Sequence, residues 1–451
     1  MRANKRIIVP PEAAHLLMRL NRAGFSAYVV GGCVRDSLLG LSPADWDICT
    51  SAAPEQTAAC FSDCRTVPTG VKYGTVTVLL QDVPYEITTY RAEAAYSDRR
   101  HPDAVAFLPT VEGDLARRDF TINAMAADAE GNVLDLFGGR DDLARGLIRC
   151  VGKPEERFEE DALRILRALR FAARLGFRVE DATAAAIHAK CGSLEAVAEE
   201  RLHKELSGLL LGGDAPRLLR EFSDVLYVPI PELAAVKGFC QFNPNHRYDV
   251  WEHTLAALSA SECEEILRLA VLLHDVGKPS SFSMDKNAVG HFYGHAVVGA
   301  AMTERILRRL RYDGETVRLV TTLVRSHDRP LPETPKAARR LLALLGQEGA
   351  CRFLRLRRAD LMGKGTMTSA QVEQSTLKAE QLVREEQRSC FDLQSLAIDG
   401  NVLLALGVPK GPEIGRLLKR LLQAVVEEEL PNEPQELIQY AQKIREWHKL
   451  N

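Results

Sequence analysis

No apolar run in these 451 residues approaches the roughly 20 needed to cross a bilayer, so no membrane segment is expected. Met1 to Val9 is basic and lacks the apolar core of a secretory signal. Ten cysteines are present, yet none forms a Cys-x-x-Cys pair, and Cys60 and Cys64 come nearest. That scatter excludes a disulfide framework, leaves structural zinc without a second ligand pair, and fits reduced thiols in a cytoplasm. No internal repeat or low-complexity segment occurs. A net charge of −3 also provides no overall basic field for a polyanion. The average hides a local excess: Arg305 to Arg358 holds 14 Lys/Arg against 5 Asp/Glu, the composition of a phosphate-tracking surface. The length exceeds what one core holds, so two to four domains are expected.

The chemistry begins near the N-terminus. Ala27-Tyr28-Val29-Val30 reads as a buried strand that Gly31-Gly32 interrupts, and Val34 to Leu39 resumes with helical spacing. A strand, a glycine turn and a helix start present backbone N–H groups to an anion. Arg35 adds a planar fork suited to phosphate. Asp45 and Asp47 follow, two residues apart. If Trp46-Asp47-Ile48-Cys49 is a strand, both carboxylates leave the same face. Two carboxylates beside a phosphate cradle suit a pair of Mg²⁺ ions in in-line nucleotidyl transfer. Gly74 to Leu80 and Pro84 to Tyr90, with Gln81-Asp82 between them, read as a hairpin that sets Glu86 beside the aspartates as a third carboxylate. Beyond Val151 the apolar spacing is almost wholly helical.

Two further segments complete a pattern. They are Asp114-Leu115-Ala116-Arg117-Arg118-Asp119-Phe120-Thr121 and Glu160-Asp161-Ala162-Leu163-Arg164. In this order the motifs resemble the bacterial class II tRNA nucleotidyltransferase and poly(A) polymerase family, from about Val29 to Gly212 and again in the C-terminal part. The resemblance implies an α+β protein with a polymerase-beta-like nucleotidyltransferase head at 1–145. A helical neck at 146–245, a body at 246–365 and a helical tRNA-binding tail at 366–451 would follow. It implies an enzyme that adds C, C and A to tRNA 3′ ends from CTP and ATP without a nucleic-acid template. Mg²⁺ would sit at Asp45, Asp47 and Glu86, with Gly31, Gly32, Arg35, Arg117 and Arg118 as candidates around the triphosphate. Tyr96 to Pro102 looks like the loop that, in the family, couples head rearrangement to the final A. A poly(A) polymerase, or an enzyme adding only CC or only A, shares these motifs. The oligomeric state is not legible.

The segment at 160–164 carries its own physical argument. On a helix running from Glu159 to Leu175, Asp161 and Arg164 are neighbours at i and i+3. A carboxylate accepts hydrogen bonds and a guanidinium only donates them. Cytosine and adenine each present an amino donor beside a ring-nitrogen acceptor, whereas guanine and uracil present the reverse. One Asp/Arg pair can therefore admit CTP and ATP and oppose GTP and UTP, at about 1–3 kcal/mol per unmatched group. Arg167 and Arg170 extend the same face toward base or RNA.

The helical block carries a second constellation: His253, then His274-Asp275-Val276-Gly277-Lys278, then His295, His327 and Asp360. It looks like an HD phosphohydrolase domain. That resemblance implies a divalent metal at His253, His274, Asp275 and Asp360, with His295 and His327 completing a second position. Imidazole and carboxylate ligands without sulfur suit Mn²⁺, Fe²⁺, Ni²⁺ or Mg²⁺. Asp328 is a rival to Asp360. A protein that is mainly an HD phosphohydrolase acting on RNA ends is the alternative from another class. Gly407 to Gly415 resembles the tail of bacterial CCA-adding enzymes that holds the tRNA elbow.

Overall fold

The computed structural model describes residues 6–70, 73–93 and 105–450, which form two compact units, 1–231 and 232–451. In the first unit, alternating apolar residues build a seven-stranded mixed sheet. Its strands include β1 (Ala27–Val30), β2 (Ile48–Thr50), β3 (Arg65–Gly70), β4 (Thr75–Leu80) and β5 (Val83–Thr89). Their order is β3-β4-β5-β2-β1, continued by Met125–Ala127 and Val133–Asp135. All neighbours are antiparallel except β2 and β5, which pair in parallel with Ile48 opposite Ile87. Gln81 and Asp82 close the β4–β5 hairpin at φ 53° and 63°, the left-handed geometry that matches the twist of a two-residue turn.

Period-two alternation divides the side chains between two faces. Val29, Ile48, Val76, Val78 and Ile87 join Leu16, Leu17 and Leu20 of helix α1 (Pro11–Arg22) in one core. Val30, Cys49 and Ala126 point the other way, toward Val111 and Leu115. Asp47 and Glu86, each one residue before a strand partner in the main core, are on that second face.

The rest of this unit is mostly helical. Leu163–Leu175 packs on Glu199–Leu210, and the approach is close: a Cβ at Gly208 would lie 2.5 Å from Arg170 Cδ. The single helix expected from Glu159 to Leu175 is instead two. Pro154–Glu160 stops at Asp161, whose backbone is extended (φ −146°, ψ 103°). Asp161 Oδ1 accepts the Leu163 N–H at 3.1 Å, so a short acid that can bond its own backbone displaces the helical ladder.

Helices dominate the second unit. Side-chain caps start several of them: Asp249 on Val250–Ser259, Glu264 on Glu265–Leu273 and Asp313 on Gly314–Ser326. Pro335–Lys364 is broken at Gly346 (φ 70°, ψ 176°). A separate apolar cluster from Leu396 to Ile444 packs the C-terminal helices. No helix among the described residues is long and apolar enough to cross a membrane. Most of the cations between Arg305 and Arg358 have acidic partners, such as Arg309 with Glu232, Arg340 with Glu427 and Arg358 with Glu373. The local excess is therefore largely neutralised, because its counter-charges come from outside the segment.

The β2–β5 pairing carries the site, so its core contacts should be costly to cut. Ile87, 1% exposed, should lose about 2–5 kcal/mol of stability on Ile87→Ala, read from the midpoint of urea unfolding.

Candidate active site and metal centre

The head carboxylates lie on two adjacent chain segments, and the strand expected from Trp46 begins only at Ile48, so of the three only Glu86 is in a strand. Asp47 immediately precedes β2, Asp45 is in the loop before it, and Glu86 lies in β5 beside Asp47 in the parallel register. The protein packed around Asp47, and then the charges of Asp45 and Glu86, push its carboxyl up to about 6, against the pull of Arg118. A buried carboxyl whose proton affinity is raised in part by neighbouring carboxylates marks a site that favours a cation.

Arginines stand round it in distinct states. Gly31 has φ +81°, and a Cβ there would lie 3.1 Å from Arg118 Nη1. At Gly32 it would lie 3.7 Å from Arg35 Nη2. Gly31 thus makes room for the Arg118 guanidinium, whereas a Cβ at Gly32 would make only ordinary contact with Arg35. Arg118 and Arg117 both bond Asp114, at 3.0 and 2.7 Å. Burial disfavours the charged form of Asp114, but the two arginines outweigh it and hold this carboxyl below its ordinary range. Arg35 is buried, donating to Asp36 Oδ1 and Asn123 Oδ1, each at 2.7 Å. Asn123 donates on to Asp119, which accepts Arg167 Nη2 at 2.6 Å. Arg35, Arg167 and Arg170 all lie over the ring of Phe171, within 5.1, 5.6 and 4.3 Å of its centre.

Asp161 and Arg164 do not pair with each other. Arg164 donates to Glu160 Oε2 (2.6 Å), to the Arg157 carbonyl (3.2 Å) and to the Arg117 carbonyl (3.1 Å). Asp161 Oδ2 instead accepts Arg201 at 2.8 Å. Arg170 pairs with Glu205 at 2.5 Å. Arg201 and Glu205 escaped the sequence reading, although their i, i+4 spacing opposite an arginine-rich helix was a visible signal. The loop Tyr96 to Pro102 lies outside the described residues.

In the second unit, five helices bring these histidines and aspartates together. The Nδ1–H groups of His274, His295 and His327 donate to the carbonyls of Val271, Phe292 and Val324, at 2.7, 2.7 and 2.6 Å. That leaves their Nε2 lone pairs to face inward. His253 Nε2 lies 3.1 Å from His274 Nε2, and His295 Nε2 lies 3.1 Å from His327 Nε2. Asp275 sits between the pairs. Its Oδ2 is 3.4 and 3.1 Å from the first pair, and its Oδ1 is 3.5 Å from each member of the second. Asp360 Oδ1 approaches His253 Nε2 at 3.2 Å, whereas Asp328 is exposed. Burial opposes the charged forms of both aspartates. His274 and Lys278 hold Asp275 well below the carboxylate range, and His253, Lys364 and Arg357 do the same for Asp360. A cavity of about 270 Å³ opens on Asp275, His295, His327 and Asp360, and Lys278 and Lys364 also line it. Among the described residues, His253/His274/Asp275 and Asp275/His295/His327 are the groupings whose ligand atoms converge within 4.8 Å.

The head defines a class. Residues 27–149 match the poly A polymerase head domain and residues 293–441 match tRNA nucleotidyltransferase domain 2. Residues 176–236 match the model described as "Probable RNA and SrmB- binding site of polymerase A". The chain is a nucleotidyltransferase. It is 35% identical to the CCA-adding enzyme of Limosilactobacillus fermentum over 433 residues, covering 96% of each chain. It is 48% identical to that of Ligilactobacillus salivarius over 248 residues, 53% of this chain and 61% of that one. Its fold is similar to that of the Bacillus stearothermophilus CCA-adding enzyme solved in complex with CTP, with TM-score 0.74 and 30% identity. That likeness covers 98% of this chain and 100% of the other. The chain belongs to the CCA-adding enzyme family, the tRNA nucleotidyltransferases.

Burial of Asp47, and then the like charges beside it, have a measurable consequence in metal-free protein. Its folded pKa, about 6, exceeds the ordinary 3.8, so ionised Asp47 opposes folding above pH 6 and ceases to do so below about pH 4. Asp47→Asn should raise the melting temperature by a few degrees at pH 8 in EDTA, and the gain should fade by pH 4.

Proposed function

We propose that this chain adds C, C and A to tRNA 3′ ends from CTP and ATP, using Asp45, Asp47 and Glu86 to hold Mg²⁺. The observation that carries this reading is the β2–β5 register, which sets Asp47 beside Glu86 at a place where burial, then Asp45 and Glu86, raise its proton affinity. Acceptor-only oxygens crowded in this way fit a hard divalent cation. When bound, Mg²⁺ supplies neutralisation of the triphosphate and activation of the attacking 3′-hydroxyl. Arg118, held by Asp114 beside Gly31, is placed to meet phosphate charge. Arg35 is committed to Asp36 and Asn123, so its contribution is to brace the turn that carries Gly31 and Gly32. Asp161 and Arg164 read the base: the carboxylate accepts the amino group of C or A, and the guanidinium donates to the neighbouring ring nitrogen. Arg167 and Arg170 support them from the next turns. The relative solved with CTP lends weight to this nucleotide class.

The test is primer extension on tRNA ending at the discriminator base. Three added nucleotides with CTP plus ATP, and two with CTP alone, support the reading. A long ladder from ATP on generic RNA would mean a poly(A) polymerase, and two additions with no A afterwards a CC-adding enzyme. Asp47→Ala should reduce addition at least 10³-fold, since one of the metal's ligands is lost, while leaving tRNA binding intact.

A second activity is favoured by one specific observation. His295 and His327 direct Nε2 lone pairs at each other across 3.1 Å, and both face Asp275 Oδ1. Imidazole and carboxylate acceptors converging in this way suit a cation among them, and the Lys278 ammonium already approaches the other oxygen of Asp275 at 2.7 Å. His253, His274, Asp275 and Asp360 would hold a divalent metal (Mn, Fe, Ni or Mg), with His295 and His327 serving a second position. Such a metal supplies water activation against a phosphomonoester or 2′,3′-cyclic phosphate. Lys364, at the cavity wall, attracts the phosphate, while Lys278 is held by Asp275 and Gln241, each at 2.7 Å. Asp275→Ala should strip bound metal, read by elemental analysis, and abolish metal-dependent phosphatase activity while sparing nucleotide addition. Full metal retention by that variant would defeat the assignment.

A further inference from the structure

The cavity over the histidine–aspartate cluster has an aromatic rim that nucleotide addition does not use. A two-stranded hairpin, Ser283–Met284 with Gly290–His291, leads through Phe292, Tyr293 and Gly294 into the helix His295–Arg309. Tyr293 is 78% exposed, yet it and His291 both line the cavity that reaches Asp275, His295, His327 and Asp360. An exposed tyrosine is by itself ordinary. Its mounting here is not.

The chain on each side of the ring is tied down. Asp285 closes the hairpin turn by accepting the Asn287 and Val289 N–H groups at 2.8 and 3.0 Å, and its other oxygen holds His291 Nε2 at 2.9 Å. Tyr293 stacks on that fixed imidazole, with ring centres 5.3 Å apart and planes 6° from parallel. Just before it, the Phe292 carbonyl accepts the His295 Nδ1–H at 2.7 Å. Just after it, Gly294 takes the left-handed φ of 74° that turns the chain into the helix. The hairpin is also fastened to the segment before Val250–Ser259. The Gly290 N–H donates to the Phe242 carbonyl at 2.8 Å, and Asn243 Nδ2 donates to the Gly290 carbonyl at 3.0 Å. A Cβ at Gly290 would collide with the Gln241 carbonyl. One face of Tyr293 is therefore taken by His291, and the other is open to solvent in a fixed relation to the ligand cluster.

Size sets what enters. The cavity holds about 270 Å³, below the roughly 300–1,000 Å³ that encloses a drug-sized ligand. A phosphate and the sugar that bears it fill such a space, so a nucleotide whose phosphate reached the cluster would leave its base at the rim. Every base has a π-face, and an aromatic platform takes it whatever the sequence.

We infer that Tyr293, backed by His291, is a stacking platform for the base of a nucleotide whose 2′- or 3′-phosphate enters this cavity, a role that rests on the phosphohydrolase reading of the second unit. It makes Tyr293 the residue that separates a nucleotide from a base-free phosphomonoester.

Two measurements on the full chain test this. In the first, Tyr293→Trp is titrated with adenosine 3′-monophosphate, in EDTA and again with Mn²⁺, and its emission is followed. Saturable quenching beyond that of the wild-type chain, whose own tryptophans include Trp46 beside the head carboxylates, supports the platform. No added quenching under either condition overturns it. In the second, kcat and KM are measured with Mn²⁺ for adenosine 3′-monophosphate and for glycerol 2-phosphate, a secondary phosphomonoester without a base. Tyr293→Ala should lower the ratio of the two kcat/KM values about tenfold, mostly through KM for the nucleotide. Tyr293→Phe should keep the ratio, because the ring is retained. An unchanged ratio in Tyr293→Ala, or an equal loss on both compounds, overturns the inference. If the wild-type chain hydrolyses neither compound, the phosphohydrolase reading fails and the quenching alone decides the platform. A short single-stranded RNA ending in a 3′-phosphate, titrated alongside, separates the two sources of such a nucleotide. Tighter quenching than by the mononucleotide assigns the platform to an RNA end, and equal quenching assigns it to a free nucleotide.

Discussion

Mutual repulsion among groups of like character is the constraint on which both centres depend. In the head, Asp45, Asp47 and Glu86 crowd negative charge against the second face of the sheet. In the second unit, imidazole lone pairs and carboxylate oxygens converge within a buried cluster. The head arrangement does not stabilise the bare protein, and in the second unit cationic partners offset the burial of Asp275 and Asp360, so the surrounding structure must hold each in place. The parallel pairing of β2 with β5 does this in the head, with Ile48 and Ile87 anchored in the main core. In the second unit it is done by backbone carbonyls, which tie off the Nδ1–H groups of three histidines and fix each ring's orientation.

Around the head carboxylates the arginines have graded roles, decided by their partners. Two share Asp114, one is sealed against Asp36 and Asn123, and three lie over Phe171. An aromatic face ringed by guanidinium groups is tolerable only because Asp119, Asp36 and Glu205 neutralise them. The outcome is a rigid mount in which most of these cations are committed to acidic partners, and Arg118 is the arginine whose charge acts on Asp47.

Much of this was legible in the chain. The strand Ala27–Val30, its Gly-Gly break and the hairpin around Gln81-Asp82 follow from local signals that the structure keeps. The grouping of His253, His274, Asp275, His295 and His327 follows from motif order. Less visible were features set by long-range partners. The neck helix reads as continuous to Leu175 because periodicity ignores what Asp161 can do with its own backbone. Asp161 and Arg164 look like a helical pair, yet each bonds elsewhere, since Arg201 lies 40 residues away in sequence. The basic stretch from Arg305 looks like a nucleic-acid surface until its acidic partners appear from other elements.

Asp275 belongs to both histidine pairs, and it gives one oxygen to each. The two pairs are therefore joined through a single carboxylate. Its oxygens are chemically equivalent acceptors, although Lys278 also approaches Oδ2 at 2.7 Å. An amide of the same shape would break that equivalence, giving an acceptor to one pair and a donor to the other. The change most conservative in volume at this position would thus turn one shared basin into two unlike compartments.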